Sequence, residues 1–157
     1  MLVEMNRQSF DALTNAELVL ACTEVTIHQV KGRNPTEKSQ IVQALHEEQQ
    51  AVFMIRLLDP ARHTEIDFRS WISYLLIESC YSEGIKDGFR FFGETALLQF
   101  LDDAVDVLKE IPQHAELDST SVLTPLFETF QVLYHECMER TGEFIRGHAS
   151  QFIQLQA

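Results

Sequence analysis

The chain has 157 residues, a length that fits one domain and normally buries roughly 68 to 70% of the unfolded surface without disulfide or metal staples. Its 24 acidic and 12 basic residues give a formal charge of −12, a field that opposes direct nucleic-acid and anionic-membrane binding and favours basic proteins or cations. Cys22, Cys80 and Cys137 are odd in number, far apart and without a CxxC pair, which suits buried thiols in a reducing cytosol better than a disulfide framework or a zinc site.

The opening MLVEMNRQSFDAL carries acids early and lacks the continuous apolar core of a signal peptide, and no later run approaches the apolar length of a membrane span. The protein is therefore expected to be soluble and cytoplasmic. No alternation of any length suggests a strand, and neither a repeat nor a low-complexity linker interrupts the chain. The first helix is predicted from Thr14 or Asn15 to a cap at Gly32, with Leu18, Ala21, Cys22, Val25 and His28 on its inner face. In NPTE, Asn34 is an N-cap, Pro35 takes the first helical position and Glu37 follows three residues after the cap. This second helix is expected to run to about Leu58, before Asp59 and Pro60 interrupt it.

The third segment stays compatible with helix from Thr64 to Ile111. One helix of that length would span about 70 Å at roughly 1.5 Å per residue, whereas a domain of this size is only about 40 Å across. A break or kink near Gly93 is predicted, separating helices of residues 64–92 and 94–111. After the connection IPQHAELD, Asp118 to Ser121 offer N-caps for a last helix reaching about Gln154. Its predicted stripe is Leu123, Leu126, Phe127, Phe130, Leu133, Tyr134, Cys137, Phe144, Ile145 and Phe152. The fold class is all-α, a compact bundle of four to five helices forming a single domain over residues 1–157.

The stretch YSEGIKDGFRFFGETALL concentrates three of the six glycines. At helical spacing Glu83, Lys86, Asp87, Arg90 and Glu94 share one arc and Tyr81, Ile85, Phe89 and Phe92 the opposite side, with Gly84 and Gly88 between them. The spacings match neither GxGxxG nor GxxxxGK[ST], so a phosphate loop is not indicated. Interior glycines each cost about 1 kcal/mol against alanine, which is explained if another helix approaches them, either from the same chain or from a second copy. Read as E-G-I-x-D-G-F-R-F-F-G, residues 83–93 resemble a helix of small, functionally uncharacterised bacterial helical proteins. That resemblance implies a bacterial source and no activity.

Polar residues interrupt the apolar stripes at Glu48 and at a set of four, Glu24, His28, Glu78 and His148. Facing helices could assemble these four into a mononuclear metal site, although the Glu-x-x-His signature of di-iron bundles is missing. The competing account is that stripe-edge glutamates snorkel to water and histidines near helix ends satisfy backbone groups. Glu78, beside Ser79 and Ser82, is a carboxylate whose burial would raise its pKa. His135, Glu136 and Glu139 lie off the last stripe and read as a solvated face. No GxSxG elbow supports hydrolysis.

From Glu94 to Asp118 seven acids accompany only Lys109. Leu101, Ala104, Val105, Leu108 and Ile111 anchor that helix, leaving Asp102, Asp103, Asp106 and Glu110 outward, a face suited to solubility or to steering a basic partner. The sequence thus reads as a non-catalytic interaction or regulatory protein that needs no cofactor. Its interaction residues would be Gly84, Gly88, Asp102, Asp103, Asp106 and Glu110, its partner a protein of basic character, and its own state a homodimer. The alternative is a metal-dependent or ligand-binding helical-bundle enzyme using Glu24, His28, Glu78 and His148.

Overall fold

The computed structural model describes residues 2–111 and 120–156. The N-terminal residues form strand β1 (Val3–Asn6), and the Asn6 side chain caps a short helix α1 (Arg7–Ala12) by accepting from the Ser9 amide at 2.7 Å. Thr14 caps α2 (Asn15–Val30) by accepting from the Glu17 amide, and Gly32 beyond its end takes a positive φ of 75°. Asn34 caps α3 (Pro35–Gln43) as the NPTE spacing predicts, accepting from the Glu37 amide at 2.9 Å.

The helix does not continue to Leu58. It stops at Gln43 and α4 (Glu47–Arg56) begins anew, because side-chain amides offer the backbone other partners: Gln50 Nε2 donates to the Leu45 carbonyl and the His46 amide donates to Gln49 Oε1. Asp59 and Pro60 then open a single 3-10 turn, with Asp59 buried against Arg62 at 2.7 Å.

A second unforeseen break divides residues 64–92. Helix α5 (Glu65–Ser73), capped by Thr64, passes into a π-helical segment over Tyr74–Glu78 and ends there. The released carbonyls of Leu75 and Leu76 are taken by the hydroxyls of Ser79 and Ser82. Helix α6 (Ser82–Phe91) follows, and the expected break at Gly93 is present: with φ 67°, the Gly93 amide donates to the Arg90 carbonyl and the Glu94 amide to that of Phe89, a Schellman closure. Helix α7 (Thr95–Glu110) and, beyond residues 112–119, helix α8 (Thr120–Gly147) complete the bundle. The predicted caps Asp118 and Ser119 and the acids Glu116 and Asp118 lie outside the described residues.

The chain is mostly helical, with eight α-helices among the described residues instead of four to five. The expectation of no strand is also corrected. After α8 stops at Gly147, a 3-10 turn over Ala149–Gln151 leads into strand β2 (Ile153–Gln156), which pairs in parallel with β1 in the register Val3 to Ile153. Each strand has only four residues, too few for alternation to stand out from a helical pattern, and its partner lies at the other end of the chain.

One apolar core connects these elements, with α2 against α8 and α4, α4 against α6, and α7 against α6, α5 and α8. Phe53, Phe68, Phe89, Phe130 and Tyr134 are fully enclosed. Tyr134 stacks on Phe130 and its hydroxyl donates to the Ile55 carbonyl at 2.8 Å, satisfying the polar atom that burial would otherwise penalise. The inner face of α2 is not the predicted one. Leu18, Val19, Thr23, Thr26 and Val30 are buried, while Val25 and His28 are exposed. Thr23 can enter the core because its hydroxyl donates to the Val19 carbonyl at 2.7 Å, satisfying the polar atom that burial would otherwise penalise. Arg146 ties α8 to the N-terminal region, donating to Asn15 Oδ1 at 2.8 Å and to the carbonyls of Phe10 and Leu13 at the end of α1.

Candidate interaction surface

On α7, Leu97, Leu101, Ala104 and Leu108 are buried, and the helical period therefore turns Asp102, Asp103, Asp106 and Glu110 to solvent. The acids are not without neighbours: Lys86 Nζ lies 3.8 Å from Asp102 Oδ1, and Gln99 donates to Asp103 at 3.0 Å. Glu94, which the sequence reading places on the charged arc with Glu83, Lys86, Asp87 and Arg90, does not share the exposure of that arc. It is buried at the α6–α7 turn, where both carboxylate oxygens accept from Arg140 at 2.7 Å. A fork pairing of this kind fixes the orientation of the turn on α8. It follows from Gly93, whose positive φ turns residue 94 off the α6 wheel.

The glycine notch is filled from within the chain. A Cβ on Gly88 would meet Met54 Cβ at 3.0 Å and the Ala51 carbonyl oxygen at 3.2 Å, and one on Gly84 would meet Met54 Cε at 2.7 Å. Gly84 and Gly88 thus let α6 lie close against α4, and Gly88 is buried there. Phe91, at the end of α6, is exposed beside this contact.

A different surface was not signalled by the charge pattern. Ile66, Trp71, Tyr74 and Ile77 are exposed on α5 and the π-helical segment, with Trp71 and Tyr74 edge to face at 6.2 Å. Ile66, Tyr74 and Ile111 line a groove of about 440 Å³ that also holds Arg69 and Glu78. The signal lay in Phe68, Ile72 and Leu75: these define the buried side of the segment, and Ile66 and Tyr74 stand off it. The π turn strengthens the effect by shifting the phase between Ser73 and Ser79.

The four polar stripe residues are dispersed. His28 Nε2 and Glu24 Oε1 are 3.6 Å apart with both side chains about 70% exposed. Glu78 is exposed in the α5 groove and not buried. His148 stacks on Phe144 with centroids 4.1 Å apart and contacts the Phe144 carbonyl through Nδ1. Among the described residues, no group of three or more His, Cys, Asp or Glu side chains is placed to hold a metal ion. His135 and Glu136 are exposed, while Glu139 accepts from Asn15 Nδ2 at 3.0 Å. Burial pushes the Cys22 and Cys137 thiols up to about 12, which leaves them protonated and unreactive at neutral pH. No helix among the described residues is long and apolar enough to cross a membrane.

Comparison of the chain with family models, with curated proteins and with solved structures gives no match.

Proposed function

We propose that the chain is a non-catalytic interaction or regulatory protein that binds a protein partner, from a bacterial source as the resemblance of residues 83–93 implies and in the cytosol as its dispersed cysteines suggest. The observation that carries this reading is the exposure of Ile66, Trp71, Tyr74 and Ile77 within one short stretch. Tryptophan and tyrosine supply much of the binding energy at protein interfaces, and clustered exposed apolar side chains cost solubility unless they are used. Asp102, Asp103, Asp106 and Glu110 add a negative field that accelerates encounter with a basic partner. A second copy of the chain is one partner this surface could take, and the notch at Gly84 and Gly88 contributes by holding α6 on α4.

The test uses two variants of the whole chain: Trp71→Ala with Tyr74→Ala, and Asp102, Asp103 and Asp106 all changed to Asn. Sedimentation reads self-association, and affinity capture followed by kinetic binding reads a heterologous partner. The aromatic variant is expected to lose the complex, and the asparagine variant to associate more slowly and with a weaker salt dependence, since charges beyond about 8 to 10 Å are screened near physiological ionic strength. A partner bound equally by both variants would overturn this assignment of the surface.

A further inference from the structure

We infer that the outer edge of β1 is a second docking surface, one that takes an extended, basic peptide segment of a partner protein as an added strand. The Val3 amide donates to the Phe152 carbonyl, and Val3 stands opposite Ile153 in the parallel register. A strand turns the backbone groups of alternate residues to the same side, so Val3 and Met5 bond β2, while the N–H and C=O of Glu4 and the N–H of Asn6 point away from it. Among the described residues no hydrogen bond reaches these outward groups. Leu2, Glu4 and Asn6 are all exposed, whereas the opposite edge of the sheet starts at Ile153, which is buried. The open edge is that of β1.

Alternating backbone donors and acceptors are matched in full by another extended chain, the geometry of strand addition. Charge decides which chain. Proline, lysine or a bulge commonly blunts a strand edge, and VEMN has no proline or lysine and keeps a continuous register with β2. Glu4 is its one charged residue. If two copies paired edge to edge in the antiparallel register that uses every outward group, Glu4 would face its own counterpart, and like charges directly opposite are destabilising. The formal charge of −12 adds to that repulsion. A partner strand with lysine or arginine opposite Glu4 converts the repulsion into a cross-strand pair, and exposed Leu2 offers an apolar contact two residues away.

The probe is acetyl-Thr-Val-Lys-Val-Val-amide, titrated into the full chain and followed by amide resonances; in the antiparallel register its lysine faces Glu4 and its last valine faces Leu2. Saturable shifts are expected at the Glu4 and Asn6 amides, which also gain exchange protection, while Met5, bonded to β2 throughout, changes little. Methylating the lysine amide nitrogen keeps the charge but removes the donor aimed at the Glu4 carbonyl, and it should weaken binding by about tenfold or more. Glu4→Gln should weaken it by about twofold to fivefold, the scale of an exposed ion pair, and should bind the peptide and its glutamine analogue alike. Glu4→Pro deletes the outward N–H at an edge position that tolerates proline, and it should abolish binding with Met5 still protected. If proline disturbs β1, the methylated peptide and Glu4→Gln decide the matter. Trp71→Ala with Tyr74→Ala should bind the peptide as the parent does, which separates this edge from the α5 surface. Equal binding of the methylated peptide, shifts that bypass Glu4 and Asn6, loss in the aromatic variant, or no saturable binding would overturn the assignment.

Discussion

At Gly142 the difference between one hydrogen and one methyl is set by backbone. A Cβ there would lie 2.6 Å from both the Cα and the carbonyl oxygen of Asn15, so α2 or α8 would have to move. At Gly84 the obstacle is only the flexible end of Met54, and at Gly88 it is the Ala51 carbonyl together with Met54 Cβ. Alanine substitutions should therefore rank Gly142 worst, Gly88 intermediate and Gly84 mildest in denaturant melts. Overpacking at Gly142 should cost about 2 kcal/mol or more even though alanine regains about 1 kcal/mol of helix propensity. A Gly142→Ala protein as stable as the parent would refute the close approach. The thiols give a second prediction at this scale. Exposed Cys80 should react with a thiol reagent in the native protein, while Cys22 and Cys137 react only on unfolding. Burial pushes both thiols from their ordinary value of 9.0 to about 12, so the fold favours their protonated forms. That contribution is complete below pH 9 and is lost as pH rises towards 12, so stability should fall across that alkaline window.

Helix ends carry the next level of specification. Gly93 has open space around a would-be Cβ, yet its φ of 67° closes α6 and brings Glu94 into reach of Arg140. Gly93→Ala should cost about 1 to 2 kcal/mol from backbone strain alone, and Gly93→Asn less, because asparagine tolerates the left-handed region. Equal melting temperatures for the alanine and asparagine variants would argue against a conformational origin. The π-helical end of α5 depends instead on side chains: the Ser79 and Ser82 hydroxyls take carbonyls that the terminating helix releases. Sequence spacing could not anticipate this end, since serine is tolerated in helices and its alternative bond appears only once the turn has formed.

The two chain ends meet in a parallel pair of four-residue strands, and the Val3 amide also donates to the Phe152 carbonyl. Isolated two-stranded sheets are marginal in water, so this one relies on Phe152 and Ile153, both buried in the core. Deleting residues 154–157 keeps those anchors and removes most of β2. Amide exchange at Met5 should then accelerate strongly while α2 and α8 remain protected. Unchanged protection in β1 would show that the strand is held by something other than its partner.

The all-α class, the caps at Thr14 and Asn34, the break at Gly93, the buried stripe of α8 and the outward acids of α7 follow from the sequence, because each depends on residues within one or two turns. The interruptions at residues 44–46 and 79–81 do not, since the glutamine and serine side chains that stabilise them are compatible with continuous helix until neighbours fix the turn. Long-range placement decided the rest. The β1–β2 pair, the Gly142–Asn15 contact and the Glu94–Arg140 fork join residues from separate elements, and no local period records them. Of the candidate residues, Asp102, Asp103, Asp106 and Glu110 lie on the predicted face, whereas the Trp71–Tyr74 surface emerged only once packing had shown which apolar side chains stay exposed. Burial and pairing are differences between the folded chain and water, and tertiary structure alone determines which groups make that exchange.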